Sequence, residues 1–217
     1  MLVGHYGPAF GLKSQDPAIP LWLLFVAVQW LDVLWAAFVY LGIEKFRIVP
    51  GLNASNNLDL YYMPITHSLP GALLLSGLLG AIAAPFFKIG RLRVFFVVVA
   101  AAFSHWLLDL IVHVRDLALW DDSYKVGFGL WNYFWPALTL EFGVLIAGGW
   151  WYAHAMPSAR PHGDWALWLF VAFLMLLYLA VIANPADPNA TRLIAAQLFG
   201  VYVLSATLAL LVERLRR

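Results

Sequence analysis

Residues 92 to 114 read LRVFFVVVAAAFSHWLLDLIVHV, an apolar run with two histidines and one aspartate near its end. As a helix, this run exceeds the hydrocarbon thickness of a bilayer, about 30 Å at 1.5 Å per residue. His105, Asp109 and His113 would fall within about 80° of one helix face. An ionisable group at the bilayer centre costs about 2.5–3.5 kcal/mol, so three on one face need partners or a function. The run predicts a membrane helix with a functional polar face.

Composition places the whole chain in the same class. Of its 217 residues, 63% are hydrophobic and 12% are charged, and the mean hydropathy is +0.80. Soluble domains are about 45–50% apolar and about 25% charged, so an all-α integral membrane protein is predicted. The net charge of +1 argues against a nucleic-acid partner. Because the chain has no cysteine, disulfides and thiolate metal ligands are excluded.

Six apolar runs are long enough to span a bilayer, and their continuity is typical of helices rather than of alternating barrel strands. We expect them to form one helical bundle, a single polytopic membrane domain covering residues 1–217. Pro136 would kink the fourth run or mark the start of its helix. The runs are approximately 20–43, 65–87, 92–114, 130–154, 165–183 and 193–212.

The loop charges predict an orientation. Lysines and arginines are more numerous at the ends that share a side with Lys13 and the C-terminal Arg217 than at the opposite ends. By the positive-inside rule, both termini are expected in the cytoplasm, and the bilayer itself is the expected partner. The sequence gives no indication of oligomeric state.

The segment before the first run is apolar, rich in glycine and too short to span: residues 4–12 read GHYGPAFGL. It is expected to be a re-entrant or interfacial segment. In a re-entrant hairpin, His5 would lie about 12 Å and Asp32 about 18 Å from the membrane surface, as measured by the rise along their helices. The two side chains would then lie at similar depths. A tail lying on the surface is the alternative.

Other polar residues are predicted at compatible depths. Asp32 lies in the middle of the first run, His67 near the start of the second and Glu141 inside the fourth. His67 and His113 belong to run ends on the same side of the membrane. A histidine and carboxylate set without thiolate favours Zn²⁺, with Mn²⁺ or Fe²⁺ as alternatives. The other interpretation is a polar cluster that only bonds helices together.

The order of these motifs resembles a bacterial inner-membrane family described as metal-dependent hydrolases. The likeness covers approximately residues 4–116 and rests on Gly4-His5, Leu31-Asp32, Thr66-His67-Ser68 and Ser104-His105-x3-Asp109. Where that family has His-Arg-Gly, this chain has Tyr62-Met63-Pro64. The resemblance implies a multi-pass protein of the bacterial inner membrane. It also implies metal-site positions at His5, Asp32, His67, His105 and Asp109, to which the helix face adds His113.

Three functions follow as hypotheses. The first is a metal-dependent hydrolase of an amphiphilic ester or phosphoester, in which the metal activates water and Asp109 or Glu141 accepts its proton. Thr66 and Ser68 would orient His67, and Tyr62 or its neighbour Tyr61 would donate a hydrogen bond to the developing oxyanion. The second is a transporter or proton-relay protein that uses the same carboxylates. The third is a structural subunit whose polar cluster only holds helices together.

Overall fold

The computed structural model describes residues 1–88, 90–184 and 187–217, and the chain is mostly helical. Within these residues, eight α-helices, named α1 to α8 in chain order, alternate with short loops and two hairpins. Two 3-10 turns, Ala84–Phe86 and Leu130–Asn132, extend α4 and precede α6. The helices are Tyr6–Gln15, Leu21–Val28, Trp30–Tyr40, Leu69–Ala83, Arg91–Val112, Phe134–Ala155, Gly163–Ala183 and Thr191–Arg216.

Every predicted apolar run contains a helix, but not every helix has the composition of a membrane span. Four described helical segments are long and apolar enough to cross a bilayer, and a bent pair, α2 with α3, makes a fifth. Helix α6 is as long as α5 but is not among them. It does begin at Phe134, so Pro136 marks the helix start, as one of the two readings of that proline predicted. The four segments are Leu69–Phe86, Arg91–Val112, Gly163–Ala183 and Thr191–Arg216.

The first predicted span is broken rather than continuous. Helices α2 and α3 meet at Gln29 with a bend of 55°. The Gln29 side chain donates a hydrogen bond from Nε2 to the carbonyl oxygen of Leu2, 2.6 Å away. This contact ties the break to the N-terminal segment, and the break leaves the Val28 carbonyl free to accept a bond from another element.

Two antiparallel hairpins correct the all-α expectation. Strand β1, Lys45–Ile48, pairs with β2, Leu58–Tyr62, and β3, Leu117–Trp120, pairs with β4, Ser123–Val126. In β1 the residues alternate between exposed and buried, with Phe46 and Ile48 inside. These strands lie outside the apolar runs and are only four or five residues long, so a search for spans passes over them.

The N-terminal segment is not a surface tail. Helix α1 is largely buried and packs on α6 so closely that a Cβ on Gly148 would lie 2.3 Å from the carbonyl oxygen of Gly7. Its far end is fixed by Lys13, whose Nζ lies 2.7 Å from Glu213 Oε1 in a buried ion pair. Together these contacts hold His5, at the start of α1, inside the bundle with a fully buried side chain.

Some of the charges at the predicted helix ends lie close to one another. Arg93 Nε lies 2.6 Å from Asp16 Oδ2, three residues after Lys13. Lys13 forms an ion pair with Glu213, so the C-terminal end of α8 lies at the same end of the bundle. Lys125 donates to the carbonyl of Tyr61 at the opposite end, where the hairpins lie. The cytoplasmic assignment of the first group stays a prediction.

Candidate metal centre

Four imidazoles converge on the carboxylate of Asp109 in α5. The Nε2 atom of His5 lies 3.2 Å from Asp109 Oδ1. Around Oδ2 the Nε2 atoms of His105, His113 and His67 lie at 3.0, 3.5 and 3.7 Å. All five side chains are buried. The structure therefore brings these predicted metal-site residues together around one carboxylate.

Asp32 supplies a second carboxylate from α3, just after the break at Gln29. Its Oδ1 lies 3.4 Å from His67 Nε2 and 3.5 Å from His105 Nε2. Its Oδ2 accepts a hydrogen bond from the hydroxyl of Tyr202 in α8, at 2.8 Å. All six residues predicted to bind metal thus belong to one cluster.

The protonation of His105 follows from its other ring nitrogen. Nδ1 lies 2.8 Å from the carbonyl oxygen of Val28, the group left free where α2 ends. A carbonyl oxygen only accepts hydrogen bonds, so Nδ1 carries the proton. In the neutral ring, Nε2 then presents a bare lone pair to the carboxylates.

The tautomer of His67 is fixed in the same way, by a chain of two hydrogen bonds through Thr66 and Glu44. Thr66 donates its hydroxyl proton to Glu44 Oε2 at 2.6 Å, and Oγ1 lies 2.7 Å from His67 Nδ1. Because the hydroxyl has one proton, it must accept from His67 Nδ1–H. The structure places the Thr66 hydroxyl on His67, the contact that its predicted orienting role requires, whereas Ser68 caps α4 by accepting from the backbone N–H of Gly71.

His113 completes the pattern at the end of α5. Its Nδ1 lies 2.8 Å from Asp116 Oδ1, three residues further along the chain. A carboxylate partner fixes the proton on Nδ1 and leaves Nε2 free. The ring also packs on Trp131, with the two ring centroids 4.1 Å apart.

In their neutral forms, the three rings therefore present lone pairs to carboxylate oxygens, which also carry only lone pairs. Such acceptor-to-acceptor contacts repel unless a cation lies between them. Ligand atoms bound to tetrahedral zinc at about 2.0–2.1 Å lie about 3.3–3.4 Å apart. The observed nitrogen-to-oxygen distances of 3.0–3.7 Å bracket that spacing.

Two groups of three residues have ligand atoms close enough to hold a metal ion. One is His5, His105 and Asp109, and the other is Asp32, His67 and His105, with all atoms in each group within 4.8 Å. Both use His105, whose single free lone pair can bind one ion at a time. The two groups are therefore alternatives around His105 rather than two complete sites.

His5 differs from the other three histidines. Its ring stacks on His105, with centroids 3.7 Å apart and an angle of 12° between the planes. Among the described residues, neither of its ring nitrogens has a hydrogen-bond partner. The amino group of Met1 lies 2.5 Å from Asp109 Oδ1, the same oxygen that His5 approaches. His5 is positioned by packing instead of by a hydrogen bond.

The predicted catalytic residues have different surroundings. Asp109 is central, as described above. Glu141 is buried and accepts hydrogen bonds from the backbone N–H groups of Leu2 and Gly4, at 2.7 and 2.6 Å. Tyr62 is exposed on β2, with Lys45 Nζ 5.8 Å from its ring centroid, and the structure does not bring it to the cluster.

A cavity of about 180 Å³ opens beside the cluster. Its polar end is formed by five predicted site residues, Asp32, His67, Asp109, His113 and Glu141. The remaining wall is mainly apolar and comes from α3, the first hairpin, α7 and α8; it includes Trp35, Leu60, Met63, Ile182, Ile194 and Leu198.

Sequence reasoning missed three supporting groups. Tyr202 reaches Asp32 from α8, and the only signal was a hydroxyl in the middle of an apolar run. Glu44 lies between the first two apolar runs and gave no signal there, yet it is buried and accepts three hydrogen bonds from Ile65 and Thr66. The Val28 carbonyl carries no side-chain signal at all.

Comparisons with family models, with curated proteins and with solved structures gave no match. The resemblance to inner-membrane hydrolases therefore stays a prediction.

Proposed function

We propose that this chain is a membrane-embedded, metal-dependent hydrolase that acts on an amphiphilic ester or phosphoester. The observation that carries the proposal is the convergence of three Nδ1-bonded imidazoles, through Nε2, on Asp109 and Asp32. Placement in a membrane is supported by the apolar helices that surround the cluster.

A metal ion accounts for the cluster better than protons do. Protons on all three Nε2 atoms would place three imidazolium ions together, with the His67 ring centroid 5.6 Å from that of His105 and 6.3 Å from that of His113. Like charges this close in a buried site disfavour the charged forms. One divalent ion uses the same lone pairs and also offsets the charge of two carboxylates. We therefore assign a divalent metal, with Zn²⁺ as the first choice and Mn²⁺ or Fe²⁺ as alternatives.

The residues then divide into holding and proton-transfer roles. Asp32, Asp109 and the three Nδ1-bonded histidines hold the metal, and the bonded partners of these histidines fix the ring orientations. A bound metal of this kind lowers the pKa of water and polarises an ester or phosphoester oxygen. Glu141 lines the same cavity and accepts the proton of the attacking water, then returns it to the leaving alcohol.

Metal removal tests the proposal. Purified protein in nanodiscs is assayed with 4-nitrophenyl decanoate and decyl 4-nitrophenyl phosphate, before and after chelation and after zinc is restored. We expect chelation to lower the hydrolysis rate of at least one substrate by at least about 100-fold, and zinc to restore it.

Matched variants complete this test. His105→Ala should stay inactive after zinc is added, whereas His154→Ala should behave as wild type because His154 is exposed on α6, away from the cluster. Hydrolysis that survives chelation, or zinc-loaded protein that hydrolyses neither substrate, would refute the hydrolase. Flux of protons or solute into liposomes without hydrolysis would instead support the transport hypothesis.

A further inference from the structure

We propose that the cavity takes an uncharged carboxylic ester with one long acyl chain, and not a phosphoester. This inference rests on the proposed function and narrows its substrate class. It depends on two independent features of the cavity. One is the negative charge of the acidic residues that line it, and the other is the apolar character of its remaining lining.

The polar end has a strongly acidic lining. Asp32, Asp109 and Glu141 all line the cavity, and among its described lining residues none is lysine or arginine. The amino group of Met1 is already in contact with Asp109. One divalent ion together with this amino group just offsets the three carboxylates and leaves no positive charge for a further anion. An anionic phosphoester would therefore add charge to a buried site that offers no guanidinium or ammonium side chain to bind it.

Phosphate-binding sites normally supply such cations. Arginine binds phosphate oxygens through paired hydrogen bonds, and lysine does so as a point charge. An ester carbonyl needs neither, because it is neutral until water adds to its carbon. Hydrolysis then breaks the acyl carbon–oxygen bond and releases an acid and an alcohol, with no reactant other than water.

The wall opposite the acidic end fits an alkyl chain. Ile194, Leu198 and Tyr202 follow one another at intervals of four residues, so they lie along one face of α8. All three line the cavity, and Tyr202 bonds Asp32 at the polar end. Ile194 is two turns away, about 12 Å along the helix axis. Val181 and Ile182 of α7 line the same cavity and add apolar surface for an alkyl chain.

The experiment separates head-group charge from chain length. Zinc-loaded protein in nanodiscs is assayed with 4-nitrophenyl decanoate, 4-nitrophenyl butyrate and decyl 4-nitrophenyl phosphate. We expect the decanoate to be hydrolysed at least 100-fold faster than the phosphate of equal chain length. A phosphate that reacts as fast as the ester would overturn the inference and leave the hydrolase standing.

A bulky substitution tests the chain path. Ile194→Trp should lower the ratio of decanoate to butyrate hydrolysis by at least 10-fold. The matched control is Leu204→Trp on an exposed face of the same helix, which should leave that ratio unchanged. An equal ratio in both variants would overturn the inference.

Binding is measured in parallel by native mass spectrometry with decyl acetate and decyl phosphate. If the neutral probe is retained at least 10-fold more than the anionic probe, the inference is supported even when no hydrolysis is seen. The absence of hydrolysis would then refute only the hydrolase. Equal retention, or retention of neither probe, overturns the inference.

Discussion

The four histidines of the cluster are held in two different ways. His67, His105 and His113 each bond Nδ1 to an oxygen, and the three oxygens come from a hydroxyl, a backbone carbonyl and a carboxylate. His5 has stacking on His105 and the packing of α1, with no hydrogen bond to its ring among the described residues. Hydrogen bonds to the far nitrogen fix the tautomer and raise the basicity of a metal ligand. The comparison teaches that three imidazoles are prepared for a metal and that the fourth is only placed near it.

The largest effect should come from removing the histidine common to both candidate ligand groups. His105→Ala is expected to weaken zinc binding by more than about 100-fold, because it deletes a ligand. This loss is larger than the loss of about 10–100-fold that follows when a residue hydrogen-bonded to a ligand is changed. The measurement is a zinc titration in detergent against a chromophoric chelator, with His154→Ala as the control. Zinc binding of wild-type strength in His105→Ala would contradict the assignment.

A smaller effect is expected when only the partner of a ligand is changed. Thr66→Val keeps the side-chain shape but removes the acceptor of His67 Nδ1–H and the donor to Glu44. The loss of zinc affinity should be about 10–100-fold, the usual range for such residues.

The control for Thr66→Val is Thr207→Val. The Thr207 hydroxyl bonds only the Val203 carbonyl, within α8 and exposed. Thermal unfolding verifies that both variants fold. If Thr66→Val bound zinc as tightly as Thr207→Val, the hydroxyl would not set the tautomer of His67.

The smallest effect should follow the loss of the unsupported histidine. His5→Ala is expected to weaken zinc binding by less than about 10-fold, below the range for hydrogen-bonded supports. His5→Phe, which keeps a ring against His105, separates stacking from ligation in the same titration. A loss as large as that in His105→Ala would place His5 among the essential ligands and remove the distinction between the two kinds of histidine.

Much of the cluster was accessible from the sequence because helical spacing is regular. The intervals of four residues from His105 to Asp109 and on to His113 put three groups on one face of α5, and the structure brings all three together. Asp32 and His67 were added from the order of the motifs and from their depth, since antiparallel helices of similar length bring similar depths together. A tail lying on the surface was one of two interpretations of the N-terminal segment, and the buried face of α1 excludes it; the re-entrant path stays a prediction.

The rest depends on contacts that no local pattern encodes. Nothing in Val28-Gln29-Trp30, which holds neither proline nor glycine, marks the break that frees a carbonyl for His105. Tyr202 and Asp32 meet only because α8 packs on α3. Tyr62 was predicted to donate a hydrogen bond to the developing oxyanion, but it lies exposed on the second strand of the first hairpin.

The central claim is that Nε2 atoms of several histidines share one metal ion with aspartate. X-ray absorption spectroscopy of the zinc-bound protein tests it most directly, because scattering from imidazole rings is distinct from that of water or carboxylate. The account predicts a shell of nitrogen and oxygen ligands at about 2.0–2.1 Å with scattering from at least two imidazoles. That scattering should be reduced in Thr66→Val. A shell of oxygen ligands with no imidazole scattering, or protein that retains no zinc, would contradict it.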